Sequence, residues 1–319
     1  MSREVCISAV SLYVPDLKVS VDDNVARAAA FVEKALESHP DIVCLPEFFA
    51  TVGTDYSYYE KTVGESADRW ADLAAPFQAL AARGGCYIIT CGPKREEDRK
   101  IYNTATLIGR KGEIIGHYRK THLASGETFA TPGCEFPVFE TDFGKVAIMI
   151  CADIQYPEIP RIYALKGAEI LFWPTMAWGP TDHFLDIQFI SRAIDNQIYA
   201  VHSNFNTLPY LPGKPRGCAK IIGPDGEARA DTGHRPGVAT AMVDLDEGYE
   251  YWVPGNWKHK LPTLKEAFLG TRRPELYGEL TRTDIPWSAW QVKHPVLYDP
   301  DGHISFSEDS MAFGELEEG

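Results

Sequence analysis

Hydrophobic positions along this chain follow two rhythms. Nearly unbroken apolar runs at Val5–Tyr13, Ile42–Leu45, Cys86–Cys91 and Lys145–Cys151 have the length and composition of strands buried on both faces. Between them, apolar residues return every three or four positions. Val25, Ala28, Ala29, Val32 and Leu36 follow a capping Ser20, and a second such stretch, Ser66–Ala82, is closed by Gly84-Gly85. These predict helices. Strand and helix in alternation predict an α/β protein whose central strands are covered by helices.

The pattern also repeats. Asp41–Pro46, a helix, the strand around Tyr87-Ile88-Ile89 and a hairpin at Thr104–Ile115 come first. Ala168–Pro174, a helix, Tyr199-Ala200-Val201 and a hairpin at Cys218–Ala228 then follow in the same order. Both hairpins carry Ile-Gly-x-x-Gly-Glu, with glycine for the positive-φ positions of the turn. Two similar halves, with no Gly/Ser/Pro-rich linker between them, predict one four-layer domain over residues 1–246: two sheets packed face to face with helices outside. Residues 247–319 read differently. A short helix over Thr263–Leu269 stands among Pro, Gly and aromatic residues, and Trp252, Trp257, Trp287 and Trp290 are costly to leave in water. This extension is expected to wrap the domain or cross to a second subunit.

Charge narrows the partners. A formal net charge of −14 over 319 residues argues against nucleic acid, which needs a positive surface. Part of it lies in a solvated tail: Glu308, Asp309, Glu315, Glu317 and Glu318. No apolar run approaches the roughly 18 residues of a membrane span, and Met1–Glu4 runs directly into a strand, so a soluble, unexported, cytoplasmic chain is expected. Seven scattered cysteines match neither a disulfide framework nor a zinc site.

One cysteine stands apart. The strand from Lys145 ends at Cys151-Ala152-Asp153, and Tyr156-Pro157-Glu158 opens a helix. A thiol so placed lies near free backbone N–H groups, a setting that can lower its pKa and offers donors to an oxyanion. Glu47 follows the strand Ile42–Leu45 through Pro46, and Lys120 ends Ile114–Lys120. All three occupy the carboxyl end of a core strand, where open α/β sheets gather their sites. Alone, each reads as packing or as a solvated charge; together they make chemical sense. A carboxylate can take the thiol proton, and an ammonium can hold that carboxylate and stabilise an anionic intermediate. Glu127, seven residues past Lys120, is placed to hydrogen-bond Lys120 or to position substrate. A rival reading is a cysteine peptidase with His117 or His122 as base, but that class's local signature is lacking. A non-catalytic scaffold would be expected to lose one of the three residues.

Leu45-Pro46-Glu47, Tyr118–Leu123, Ile150–Asp153 with Tyr156-Pro157-Glu158, and Arg192–Gln197 resemble the nitrilase (carbon–nitrogen hydrolase) superfamily over roughly residues 4–245. The resemblance implies an αββα sandwich, a catalytic triad of Glu47, Lys120 and Cys151, and Glu127 as an additional glutamate. It further implies the Ala152 N–H as an oxyanion donor, no metal or organic cofactor, a homodimer or higher homo-oligomer, and substrate contacts from Tyr156, Thr175, Met176 and Trp178. Cys151-Ala152-Asp153 in place of the nitrilase-type Cys-Trp-Glu, and a compact interval after Lys120, favour a small-molecule amide over a nitrile. Pro174–Gly179 holds no Arg or Lys, which disfavours N-carbamoyl amino acids. A small carboxamide, opened through a thioester, is the expected substrate.

Overall fold

The computed structural model describes residues 2–15, 18–54, 59–124, 127–177, 181–207, 217–249, 263–282, 297–298 and 304–305. The strands are β1 (Glu4–Tyr13), β2 (Ile42–Cys44), β3 (Tyr87–Arg95), β4 (Ile101–Ile108), β5 (Ile114–Arg119), β6 (Val138–Glu140), β7 (Lys145–Ile148), β8 (Ile170–Pro174), β9 (Tyr199–Ser203), β10 (Phe205–Thr207), β11 (Lys220–Ile222), β12 (Ala228–Asp231) and β13 (Gly237–Asp244). The helices are α1 (Val21–Leu36), α2 (Tyr59–Asp68), α3 (Trp70–Gly84), α4 (Glu158–Leu165), α5 (Asp182–Asn196) and α6 (Leu264–Gly270).

Two sheets form. One runs β10-β1-β2-β3-β4-β5, with β13 also on β1; the other runs β12-β11-β9-β8-β7-β6. Strand alternation sorts the side chains. Val5, Ile7, Ile42, Cys44, Ile89, Val146, Ile148, Ile170, Phe172, Tyr199 and Val201 share one core between the sheets. Val10, Leu12, Val43 and Ile88 pack with α1 and α3 on one outer face, and Ala147, Leu171, Trp173 and Ala200 pack with α4 and α5 on the other. The result is the expected αββα sandwich, and its doubly covered strands account for the unbroken apolar runs. Among the described residues, no helix is long and apolar enough to cross a membrane.

The repeat holds at the level of register. β2 runs parallel to β3, and β8 runs parallel to β9, with Cys44 opposite Ile89 and Phe172 opposite Val201. Both hairpins slip register at matching places, between Leu107 and Ile108 and between Ile221 and Ile222. Their turns match as well: Gly112 at φ 83° and Gly226 at φ 85°, closed by Gly109 N–H to Glu113 O (2.7 Å) and Gly223 N–H to Glu227 O (2.9 Å).

One expectation is corrected. Ser66–Ala82 is not a single helix: Arg69, at φ −92°, ψ 11°, separates α2 from α3, and its guanidinium reaches Asp22 on α1 (2.8 Å). Backbone bonds from Arg69 N–H to Glu65 O and from Leu73 N–H to Arg69 O carry the hydrogen-bond ladder through the bend, so apolar periodicity cannot reveal it. Ser20 caps α1 by accepting from Asp23 N–H, and Gly85, at φ 60°, closes α3. In the extension, Thr263 caps α6 through a reciprocal box with Glu266, and Leu269 packs onto the α4–α5 core. Trp252, Trp257, Trp287 and Trp290 lie outside the described residues.

Candidate active site

Pro46 has no N–H to continue the β2 ladder, so the chain turns there and puts Glu47 at the rim of the first sheet. Lys120 follows β5 on the same sheet, and Cys151 lies three residues beyond β7 on the other. The structure brings Glu47, Lys120 and Glu127 into direct contact. Lys120, 1% exposed, donates from Nζ to Glu47 Oε1 (2.9 Å) and to Glu127 Oε2 (2.5 Å). Glu47 Oε2 accepts from Met176 N–H (2.9 Å), and Glu127 Oε2 accepts from Ala124 N–H (2.7 Å). Two buried carboxylates on one ammonium leave the group acidic overall, and its hydrogen bonds offset the cost of burying the charges.

Cys151 differs from its fellows. Cys6, Cys44, Cys86, Cys91 and Cys218 are buried and Cys134 is exposed, whereas Cys151 is partly accessible beside buried charged groups. Its φ of 46° is a left-handed conformation that strains a non-glycine residue by about 1 kcal/mol or more. The surroundings hold it there. Asp153 Oδ2 accepts from Ile150 N–H (2.9 Å) and Tyr118 Oη (2.7 Å), Asp153 Oδ1 accepts from His122 N–H (3.1 Å), and Trp173 Nε1 donates to Cys151 O (2.9 Å). Asp153 therefore ties the cysteine turn to the segment that follows Lys120. Cys151 opens a single 3-10 turn, Cys151–Gln155, whose leading N–H groups, Ala152's among them, have no partner inside the turn.

Electrostatics overturn one expectation. The setting does not lower the thiol's pKa: burial, then the Glu47 carboxylate, push Cys151 up to about 12, with Lys120 and a hydrogen bond from Thr175 opposing. The thiol therefore keeps its proton at neutral pH and needs a base at the moment of attack. Burial on its own would lower Lys120, but Cys151, Glu127 and Glu47 outweigh it and hold the ammonium charged. Burial also pushes Glu127 upward.

The other expected residues scatter. Tyr156, 39% exposed, stacks on His122 with ring centres 3.8 Å apart. Met176 meets Glu47 through its backbone. Thr175 is fully buried and engages the thiol, its Oγ1 also accepting from Ala177 N–H (2.8 Å). Trp178 lies outside the described residues. Neither histidine suits a peptidase-like base. His117 bonds Thr106 (3.0 Å) and meets Trp70 edge-on, and burial lowers it to about 4. His122 is engaged by Asp153 and Tyr156, and Cys151's charged neighbours are Glu47, Lys120 and Glu127.

Asn103 on β4 was not anticipated from sequence. Fully buried, it donates from Nδ2 to Glu47 Oε1 (2.7 Å) and Glu127 Oε1 (2.6 Å). Its one sequence signal is an amide inside an apolar strand, where asparagine is disfavoured. Among the described residues no group of His, Cys, Asp and Glu is arranged to hold a metal ion. A cavity of about 170 Å³ lined by Glu169, Tyr199, Glu247 and Tyr249 opens at the starts of β8 and β9, the pole opposite Cys151.

Comparisons with known proteins identify the family and the fold. An omega-amidase (NIT2) from Xenopus tropicalis is 32% identical over 257 residues, covering 75% of this chain and 88% of the relative. A probable nitrilase from Schizosaccharomyces pombe is 32% identical over 275 residues, covering 82% and 93%. The crystal structure of an amidase from Nesterenkonia sp. superposes with a TM-score of 0.69 at 21% identity, covering 86% of this chain and 96% of that one. The sequence model of the family described as carbon-nitrogen hydrolase matches residues 9–251, and the chain belongs to that family, within the amidase-like branch of the nitrilase superfamily.

Proposed function

We propose that the chain hydrolyses a small carboxamide through a thioester on Cys151. The observation that carries this reading is the buried Glu47–Lys120–Glu127 group set against a protonated, partly accessible thiol. Glu47 takes the Cys151 proton as sulfur attacks the carbonyl carbon. The Lys120 ammonium and the Ala152 N–H stabilise the oxyanion. Glu47 returns the proton to the leaving nitrogen, ammonia or an amine departs, and water deprotonated by Glu47 opens the thioester to a carboxylic acid. Glu47 then hands the water's proton to the departing Cys151 sulfur, which restores the thiol.

Several features support an uncharged acyl group. Phe48 and Phe129 meet edge-on with ring centres 6.0 Å apart, and Pro174–Gly179 carries no cation. A covalent acetamide moiety at the active-site cysteine is described for a mutant of the Nesterenkonia amidase. N-carbamoyl amino acids and nitriles are the alternatives. We further propose that residues 1–246 form the hydrolase domain, that 247–319 extend it, and that two copies pair through α4 and α5, where Leu165, Phe184 and Ile187 are exposed. Seven free cysteines fit a reducing cytoplasm. Ammonia release from a panel of amides, N-carbamoyl amino acids and nitriles, with Cys151→Ala as the blank, tests the reaction. Amides are expected to turn over fastest; faster turnover of any nitrile overturns the reading.

A further inference from the structure

We propose that Asn103 is a positioning residue that directs the Cys151 proton to one oxygen, Glu47 Oε2. The inference deepens the amidase reading and rests on it. A carboxylate oxygen has two in-plane acceptor sites. Glu47 Oε1 has both filled, by Lys120 Nζ (2.9 Å) and Asn103 Nδ2 (2.7 Å). Among the described residues Oε2 accepts from Met176 N–H alone, which leaves it one open site. The proton therefore goes to Oε2.

Asn103 reaches the rest of the group as well. Its second amide hydrogen goes to Glu127 Oε1 (2.6 Å), and its backbone carbonyl accepts from Lys120 N–H (2.8 Å). The thiol of Cys91 donates to Asn103 Oδ1 (3.6 Å), which fixes the amide with its nitrogen toward the carboxylates. One neutral side chain thus holds two like charges apart and sets the height of the lysine between them. A carboxylate here would add a third negative charge, and a shorter side chain would free a site on Oε1. The ionisable groups facing Glu47 are Lys120 after β5, Glu127 in the following loop and Cys151 after β7; Cys91 on β3 lies behind Asn103.

Alkylation by iodoacetamide tests this without an assigned substrate. Sulfur forms a bond to the methylene carbon, the carbon–iodine bond breaks to iodide, and Glu47 takes the proton. Rates at Cys151 are measured by mass spectrometry against pH for Asn103→Asp and Asn103→Ser, with folding checked by circular dichroism. Loss of hydrogen bonds to a charged group is expected to slow alkylation about tenfold in Asn103→Ser and about a hundredfold in Asn103→Asp. The acid limb is expected to move up by about one pH unit, because the anion that receives the proton has lost a donor. Should Asn103→Asp fail to fold, Asn103→Ser carries the test. A folded Asn103→Ser with an unchanged rate, or one slowed with its acid limb in place, overturns the proposal. If the wild type releases ammonia from no amide while these alkylation shifts occur, the amidase reading fails and the role of Asn103 stands.

Discussion

The two halves of the sandwich share a frame and differ at its rim. Matching β2 with β8, and the two hairpins turn for turn, pairs Glu47 with Thr175, Asn103 with Gly217 and Lys120 with His234. The first half puts a buried ion-pair group at the strand ends; the second puts a hydroxyl, a bare glycine and an exposed imidazole at the same places. Backbone geometry therefore does not dictate the chemistry. It supplies equivalent positions, and in the proposed mechanism side chains make one of them a proton relay while the other supports the thiol.

The largest expected effect comes from removing the charge that only the first half carries. Lys120→Met leaves Glu47 and Glu127 buried without their cation, an uncompensated arrangement that costs about 3–5 kcal/mol of stability. Activity should fall by about a thousandfold or more, since the proposed oxyanion donor goes with it. Urea unfolding and ammonia release measure the two losses. A stable, active Lys120→Met enzyme would erase the contrast between the halves. In the second half, Thr175→Val removes the hydroxyl that engages the Cys151 thiol and accepts from Ala177 N–H. Loss of one such bond is expected to lower the alkylation rate about tenfold. A drop as large as that of Lys120→Met would mean that the second rim is equally part of the machinery.

Much of this site was legible from sequence because each residue announces a strand's end. Pro46 stops β2 before Glu47, the apolar run from Val146 stops at Cys151, and the hairpin signature leads into Lys120. Asn103 was not legible, because its importance depends on the β3–β4 register and on a backbone bond to a residue 17 positions away. The thiol's titration was misjudged for a related reason. Proximity to free N–H groups is local and readable, whereas burial and the Glu47 charge come from the other sheet and reverse the sign.

Each half also shields a histidine, His117 half-buried and His202 buried, and pH separates the two. Burial lowers His117 on β5 to about 4; burial, helped by Lys220, lowers His202 on β9 to about 3. An unfolded histidine takes a proton below about pH 6.5, and these folded ones do not. Their contribution is present above pH 6.5 and is lost as pH falls, down to about 4 for His117 and about 3 for His202. His202 stacks on Trp173 with ring centres 4.5 Å apart, so His202→Phe keeps the packing while removing the titration. Relative to wild type, its stability should fall less steeply below pH 6.5, by about 1.4 kcal/mol per pH unit. Urea titrations at several pH values read this slope difference, and parallel slopes would show that His202 is charged when folded.

The smallest effect separates the matched turns themselves. Alanine at Gly112 or Gly226 meets the same left-handed penalty of about 1 kcal/mol. The surroundings differ. A Cβ at Gly112 would come within 2.6 Å of the Gln78 carbonyl oxygen on α3, whereas one at Gly226 would meet the Ile194 Cδ1 atom at 2.7 Å. A helix carbonyl cannot move alone, and Gln78 Nε2 also donates to Gly112 O (2.8 Å), so the first turn is pinned to α3. Ile194, 36% exposed, can swing its tip aside. Gly112→Ala should therefore be less stable than Gly226→Ala by about 1 kcal/mol, measured as a shift in the urea midpoint at constant slope. Equal midpoints would mean that Ile194 is held as firmly as a backbone, the result expected if a second copy of the chain packs against α5.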